Sequence, residues 1–78
     1  MKTEIKKAIS SELRKLRAGT GLKIEEIATK SGVNKDTISR YENGKNYMRI
    51  DILYKLISAY DVTIDYFFTQ VNANMHKQ

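Results

Sequence analysis

The chain has 78 residues and a formal net charge of +5, and it contains no cysteine and no proline. A chain of this length builds one small domain with a thin core, and the lack of cysteine excludes disulfide scaffolds, cysteine-ligated zinc and thiol nucleophiles. The single histidine, His76, lies near the end of the sequence, which argues against a histidine-based catalytic or metal site, so we expect neither an enzyme nor a cofactor-binding protein.

Apolar residues recur at helical spacing along most of the chain, and no run of four or more residues shows the alternation of a strand. The first apolar face predicts an amphipathic helix that ends at residues 19–21, Gly-Thr-Gly. A second, shorter face predicts a helix that stops at Gly32, because glycine readily adopts the left-handed backbone of a tight turn. The apolar residues are Ile5, Ala8, Ile9, Leu13 and Leu16 in the first helix, and Ile24, Ile27 and Ala28 in the second.

The third predicted helix is short and unusually polar. It begins after Asn34, a favoured N-cap residue, and ends at Asn43 and Gly44. Its apolar residues are Ile38 and Tyr41, so most of its other side chains must face outward. The outward residues, which are rich in hydrogen-bonding groups, are Lys35, Asp36, Thr37, Ser39 and Arg40.

Two further helices and a tail complete the predicted order. The fourth helix begins near Ile50 and ends at Asp61, and the fifth is capped by Thr63 and ends with Phe68. Residues 69–78 are polar and aperiodic, so we expect them to form a frayed tail. The predicted fold class is therefore all-α, with five helices and no linker that divides domains. The apolar residues are Ile50, Leu53, Leu56, Ile57 and Tyr60 in the fourth helix, and Phe67 and Phe68 in the fifth.

The segment 22–44 reads LKIEEIATKSGVNKDTISRYENG and resembles the helix-turn-helix of the Cro and phage-repressor type, the xenobiotic response element family. The residues that carry the likeness are Ala28 at the close approach of two helices, Gly32 at the turn, Val33 in the corner and Ile38 as the anchor of the second helix. The likeness covers about residues 10–68 and implies a compact five-helix, lambda-repressor-like domain with the helix-turn-helix at helices 2 and 3. It leaves residues 1–9 as an extension of helix 1 and residues 69–78 as a polar tail.

The resemblance implies that the third helix, spanning about 34–43, lies in the major groove of double-stranded DNA with its N-terminal residues against base edges. Carried over by position, the base-reading candidates are Lys35, Asp36, Thr37, Ser39 and Arg40. Arg and Lys donate to guanine O6 and N7 whereas Asp accepts from cytosine N4, so this set fits a G·C pair. The phosphate-contacting candidates are Lys23, Asn43, Lys45 and Tyr47.

Two departures from the family pattern bear on these assignments. Lys23 and Ile24 stand where a capping Ser or Thr and a phosphate-contacting Gln are usual, so Lys23 is expected to supply that contact instead. In the loop 45–49, Met48 and Arg49 stand where the family often has Pro and a capping Ser, which adds a cation to the loop.

Several of these residues also have a structural reading. Arg40 could pair with Asp36 one turn earlier, and Asp36 is favourable in the first turn of a helix without any DNA. Structural readings also exist for Lys35, as a merely exposed cation, and for Tyr47, as a packed loop aromatic. Arg17 and Glu42 stand where the family often pairs an Arg of the first helix with a Glu that ends the recognition helix, so we assign both to the architecture.

Charge is distributed unevenly along the chain. Residues 1–18 hold six Lys or Arg against two Glu, and residues 33–49 hold four against two acids, whereas residues 50–68 hold one Lys against three Asp. A basic surface suits a polyanion, with nucleic acid first and an anionic membrane surface second. The membrane reading is weaker because the apolar face of the first helix carries no aromatic anchor. No apolar run reaches the roughly 18 to 20 residues that span a bilayer, so we expect a soluble, cytoplasmic protein.

We therefore expect a sequence-specific transcriptional regulator of the phage type, a repressor, that binds a double-stranded DNA operator as a homodimer and has no small-molecule effector. The acidic, aromatic C-terminal third is expected to form the dimer contact because it faces away from DNA. The residues of this contact are Ile64, Tyr66, Phe67 and Val71. The alternative is a protein-interaction module of the same fold, such as an anti-repressor or an antitoxin-type partner, without a primary role on DNA.

Overall fold

The computed structural model describes residues 2–45 and 47–76, and this part of the chain contains five α-helices and no strand. The helices are α1 (Lys2–Thr20), α2 (Ile24–Ser31), α3 (Lys35–Asn43), α4 (Ile50–Ala59) and α5 (Ile64–Met75). The predicted all-α class and the order of five helices are confirmed. None of the helices in the described ranges is long and apolar enough to cross a membrane.

Capping residues set the ends of α2 and α3. α2 ends at Gly32, whose φ of 77° lies in the left-handed region and whose N–H donates to the Ala28 oxygen at 2.9 Å. α3 begins at Asn34, whose side chain accepts the Thr37 N–H at 2.9 Å, and ends at Gly44 with a φ of 67°. A residue in the left-handed region ends an α-helix, and glycine adopts this conformation without the strain that a side chain would add. The two glycines therefore stop their helices at these positions. The predicted ends of both helices are confirmed.

The hydrophobic core lies where the five helices meet. α1 packs against α3 and α5, α2 packs against α3 and α4, and α4 packs against α5. Each helix supplies at least one side chain that is less than 2% exposed, so all five contribute to a single close-packed interior. These side chains are Leu13, Ile27, Ile38, Leu56, Ile57, Phe67 and Val71.

Two predicted core positions lie on the surface instead. Ile50 is 67% exposed and Ile5 is 46% exposed. Ile50 is the first residue of α4, and Ile5 lies near the N-terminal end of α1, so no neighbouring helix covers either side chain fully. Helical spacing gives the direction of a side chain but not whether another helix reaches it.

Helix α5 continues well past its predicted end. The expectation of a frayed tail over residues 69–78 is wrong for residues 69–75, which extend α5 to Met75. Val71 is 1% exposed, and the Asn74 side chain donates to Glu12 Oε1 of α1 at 3.4 Å. Packing against α1 therefore stabilises a segment whose own sequence carries little helical pattern. Residues 77 and 78 of the expected tail lie outside the described ranges.

The burial of α5 also corrects the predicted dimer contact. Phe67 is fully buried and Val71 nearly so, and both belong to the core of the protein itself. Phe68 packs edge-to-face against Phe67, with ring centroids 5.2 Å apart. Ile64 is partly accessible and Tyr66 is 50% exposed. Phe67 and Val71 are therefore unavailable to a second copy of the chain, whereas Ile64 and Tyr66 remain available.

Candidate nucleic-acid interface

Helix α3 is anchored through its inner face. Ile38 and Tyr41 are buried in the core. The backbone oxygen of Tyr41 accepts a hydrogen bond from Ser10 Oγ of α1 at 2.7 Å, and its hydroxyl oxygen accepts one from the Arg49 N–H at 2.8 Å. These bonds tie the end of α3 to α1 and to the segment before α4, so a rigid support holds the outer face of α3.

The outer face of α3 brings together most of the predicted base-reading residues. Asp36, Arg40 and Asn43 recur at steps of four and three, so they share one face of the helix, and all three are exposed. Thr37 and Ser39 are half-buried at the two edges of this face. Asn43, predicted as a phosphate contact, therefore lies in line with two charged base-reading candidates.

Lys35 lies to one side of that line, toward α2. Its Nζ is 3.9 Å from Glu25 Oε2, and both side chains are more than half exposed, so this ion pair is weak and Lys35 can exchange its partner. Asp36 and Arg40 form no ion pair with each other in the part of the chain that the structure describes. The structure therefore gives no support to the alternative in which Asp36 holds Arg40.

A buried carboxylate joins α3 to α1. Glu42 is 6% exposed and accepts hydrogen bonds from Arg17 Nε at 2.8 Å and from Arg17 Nη2 at 2.9 Å, so the predicted architectural pair is confirmed. The hydrogen bond to Glu42 raises the pKa of Arg17 above its ordinary value, because the bond favours the charged guanidinium. Arg14 also donates to the backbone oxygen of Glu42. Burial, together with the nearby negative charge of Glu42, raises the pKa of Tyr60 to about 12.

Two predicted phosphate-contacting lysines lie at the ends of the motif helices. Lys23 is the N-cap residue of α2, and its backbone N–H donates to Glu26 Oε1 at 2.7 Å while its side chain is exposed. Lys45 follows Gly44 at the end of α3 and is also exposed. Each lysine is thus an accessible cation beside a helix end, and lysine is one of the side chains that contact phosphate oxygens in protein–DNA complexes.

Tyr47 lies in the loop between α3 and α4 and is 93% exposed, so the packed-loop alternative is wrong. Lys6 Nζ of α1 lies over its ring, 5.6 Å from the centroid. In the same loop Arg49 donates to Asp51, and this hydrogen bond raises the pKa of Arg49 and lowers that of Asp51. Arg49 is therefore offset by an acid, whereas Lys6 rests on an aromatic ring.

One polar contact between α1 and α3, the hydrogen bond from Ser10 to Tyr41, was not predicted from the sequence. Ser10 is 2% exposed. It stands three residues before Leu13 and seven before Arg17, so this spacing was a signal that Ser10 shares their face of α1. No local pattern connects Lys6 to Tyr47, so that contact has no signal in the sequence.

Comparison with known proteins agrees with this geometry. A family model described as helix-turn-helix matches residues 13–67, which is more than two thirds of the chain. A Rhodospirillum rubrum protein described as an uncharacterized transcriptional regulator in the ATPase CF(0) region is 33% identical over 63 residues. That match covers 81% of this chain and 58% of the relative, so the chain spans little more than half of the relative's length.

Solved structures share the arrangement of helices. The restriction-modification controller protein C.Esp1396I, solved as a tetramer in complex with its natural 35 base-pair operator, has a TM-score of 0.85 at 22% identity, over 91% of this chain and 93% of its own. The clp gene regulator ClgR from Corynebacterium glutamicum has a TM-score of 0.86 at 23% identity, over 95% of this chain and 79% of its own. At these identities the likeness establishes the fold.

Proposed function

Because this chain belongs to the helix-turn-helix family, we propose that it is a sequence-specific regulator of transcription that binds double-stranded DNA. The observation that carries the proposal is the outer face of α3, where Asp36, Arg40 and Asn43 are exposed in one line on a helix whose inner face is buried. The major groove, about 12 Å wide, admits one α-helix, so such a face can present its side chains to base edges. Repression is the simplest mode, because occupancy of a promoter requires DNA binding alone. The proposal places the protein in the cytoplasm, beside the DNA that it binds.

The proposed base-reading residues are Lys35, Asp36, Thr37, Ser39 and Arg40. The guanidinium of Arg40 can donate to O6 and N7 of one guanine, and Asp36, one turn earlier, can accept from N4 of a cytosine. Since these two side chains do not pair with each other in the described part of the chain, both are available to bases. We therefore expect a G·C-rich step in the half-site that α3 contacts.

The proposed phosphate contacts are Lys23, Asn43, Lys45 and Tyr47. Such contacts set the register of a protein on the duplex without reading its sequence. Each neutralised phosphate releases condensed counterions, so the DNA affinity of a protein of this kind falls as the salt concentration rises. Salt dependence is therefore the measurement that separates a DNA-binding protein from a protein-interaction module of the same fold.

The first test is the titration of labelled random-sequence duplex at several salt concentrations. The logarithm of the binding constant is expected to fall linearly with the logarithm of the salt concentration, at about −0.9 per neutralised phosphate. Lys45→Ala is expected to make this slope less steep by about 0.9 and to weaken all sequences alike. The matched control is Lys15→Ala, which removes the same charge from the side of α1 that faces α5, where the Lys15 ammonium contacts Asn74. A wild-type chain without salt-sensitive affinity would contradict the proposal and favour the anti-repressor or antitoxin-type alternative.

We also propose that the protein binds DNA as a homodimer. One recognition helix contacts only a few base pairs, and two copies that read half-sites about 34 to 36 Å apart double the contact. Because Phe67 and Val71 are buried, the proposed contact uses side chains of α4 and α5 that are at least partly exposed. These are Tyr54, which is 55% exposed, Tyr66 and the partly buried Ile64.

The dimer is tested on a site selected from random duplexes. Footprinting is expected to show two protected half-sites in inverted orientation. Tyr66→Lys is expected to weaken binding to DNA with two half-sites by about tenfold or more, because the new lysines of the two copies repel each other across the symmetric contact. Binding to one isolated half-site is expected to be unchanged. A single asymmetric half-site at saturation would show that the protein binds as a monomer.

A further inference from the structure

The N-terminal part of α1 contacts the loop that follows α3. Lys6 Nζ lies 5.6 Å from the centroid of the Tyr47 ring. We propose that Lys6 and Tyr47 form a phosphate-binding pair that extends the DNA interface from α3 onto α1. This inference rests on the proposed DNA binding and adds to it a residue, Lys6, that lies outside the helix-turn-helix motif.

The packing of α1 places Lys6 beside the end of α3. Ser10 Oγ donates to the Tyr41 backbone oxygen at 2.7 Å, and a Cβ built on Gly44 would lie 3.1 Å from the same Ser10 Oγ. Lys6 stands one helical turn before Ser10 on the same face of α1, and its Nζ lies over the ring of Tyr47, three residues after Gly44. Lys45 directly follows Gly44 and is exposed. A DNA strand that passes the C-terminal end of α3 would meet both Lys6 and Lys45.

The chemistry of the pair suits a phosphate. Tyr47 is 93% exposed, so its position is not explained by burial of the ring in the core. Its hydroxyl is a neutral hydrogen-bond donor, and the Lys6 ammonium has three N–H donors, of which the ring face occupies one side. The pair therefore presents a cation and a neutral donor together, and a phosphate group has several oxygens to accept from both.

The ring orients Lys6 without neutralising it. In the same loop Arg49 Nη2 lies 3.0 Å from Asp51 Oδ2, so the charge of this arginine is offset by an acid of its own chain. A ring quadrupole attracts a cation but carries no net charge, so the positive charge of Lys6 is preserved. Lys6 is therefore the better placed of these two cations to neutralise a phosphate.

The experiment compares three variants in titrations of random-sequence duplex between about 50 and 200 mM salt. Lys6→Gln removes the cation, and Tyr47→Phe removes the hydroxyl alone. Lys15→Gln is the matched control, because nine residues make about two and a half turns and place Lys15 on the opposite face of α1 from Lys6. Lys6→Gln is expected to weaken binding roughly five- to tenfold at about 0.1 M salt and to make the salt slope less steep by about 0.9. Tyr47→Phe is expected to weaken binding roughly two- to fivefold with the slope unchanged, and Lys15→Gln by less than about twofold.

Each contrary outcome has a distinct meaning. If Lys6→Gln binds DNA as tightly as the wild type and with the same salt slope, the proposed pair is overturned while the proposed function stands. Equal losses of affinity in Lys6→Gln and Lys15→Gln also overturn the pair alone, because they show a general effect of net charge. A wild-type chain without salt-sensitive affinity overturns both. Thermal melting of each variant is recorded alongside: a lower melting temperature with an unchanged slope would make the pair a structural contact of the loop and overturn the proposal.

Discussion

Replacing Arg17 by alanine is expected to lower the free energy of unfolding by about 3 kcal/mol, since it leaves a buried carboxylate without its partner. Glu42 is 6% exposed and accepts two hydrogen bonds from Arg17. The Arg17 side chain is 31% exposed, so water reaches part of the pair and the loss lies at the low end of the range for buried pairs. Chemical denaturation followed by circular dichroism measures this change.

An exposed ion pair of the same type provides the control. Arg49 and Asp51 have side chains that are 74% and 56% exposed, so Arg49→Ala is expected to leave the denaturation midpoint nearly unchanged. A double variant with Arg17→Met and Glu42→Leu is expected to be more stable than Arg17→Ala alone, because it also removes the unpaired charge. If Arg17→Ala shifted the midpoint no more than Arg49→Ala, the pair would be solvated and not a buried link between α1 and α3.

Replacing Arg40 by alanine is expected to weaken binding to the best operator by about 1 to 3 kcal/mol, which is roughly five- to 150-fold in affinity. Arg40 is exposed near the centre of the outer face of α3 and is not paired with Asp36. If it reads a guanine, its loss removes a bidentate contact at one base pair and relaxes the sequence preference at that position alone. Selection from random duplexes with the wild-type protein and the variant shows which position relaxes.

Arg40→Lys tests whether geometry or charge is responsible. It keeps the positive charge but replaces the planar fork of donors by a single ammonium. Compared with Arg40→Ala, it is therefore expected to restore the affinity for random DNA fully and the affinity for the operator in part. If Arg40→Ala weakened binding to the operator and to random duplex equally, Arg40 would be a backbone contact. That result would contradict its role as a base reader. Melting curves of both variants are expected to match the wild type, because the side chain is exposed.

Local signals were enough to predict the helices and most of their ends. Asn34 caps α3 and Gly44 ends it as predicted, because both effects involve backbone groups only a few residues away. The outward residues of α3 were found in the same way, since its few apolar positions set the buried side. The pair of Arg17 and Glu42 joins two helices that are distant in the sequence, so no local signal predicts it. It was predicted from the resemblance to a family of known architecture.

Packing between distant helices decided the remaining features. Residues 69–75 are too polar and irregular to predict a helix, yet α5 packs against α1, Val71 is buried and Asn74 donates to Glu12 of α1, so the helix forms. The same packing buries Phe67 and removes it from the surface available to a second copy. Ile50 shows the reverse, because it has helical spacing but no helix covers it. Periodicity along a chain gives the direction in which a side chain points, whereas its burial and its contacts depend on which other helix lies there.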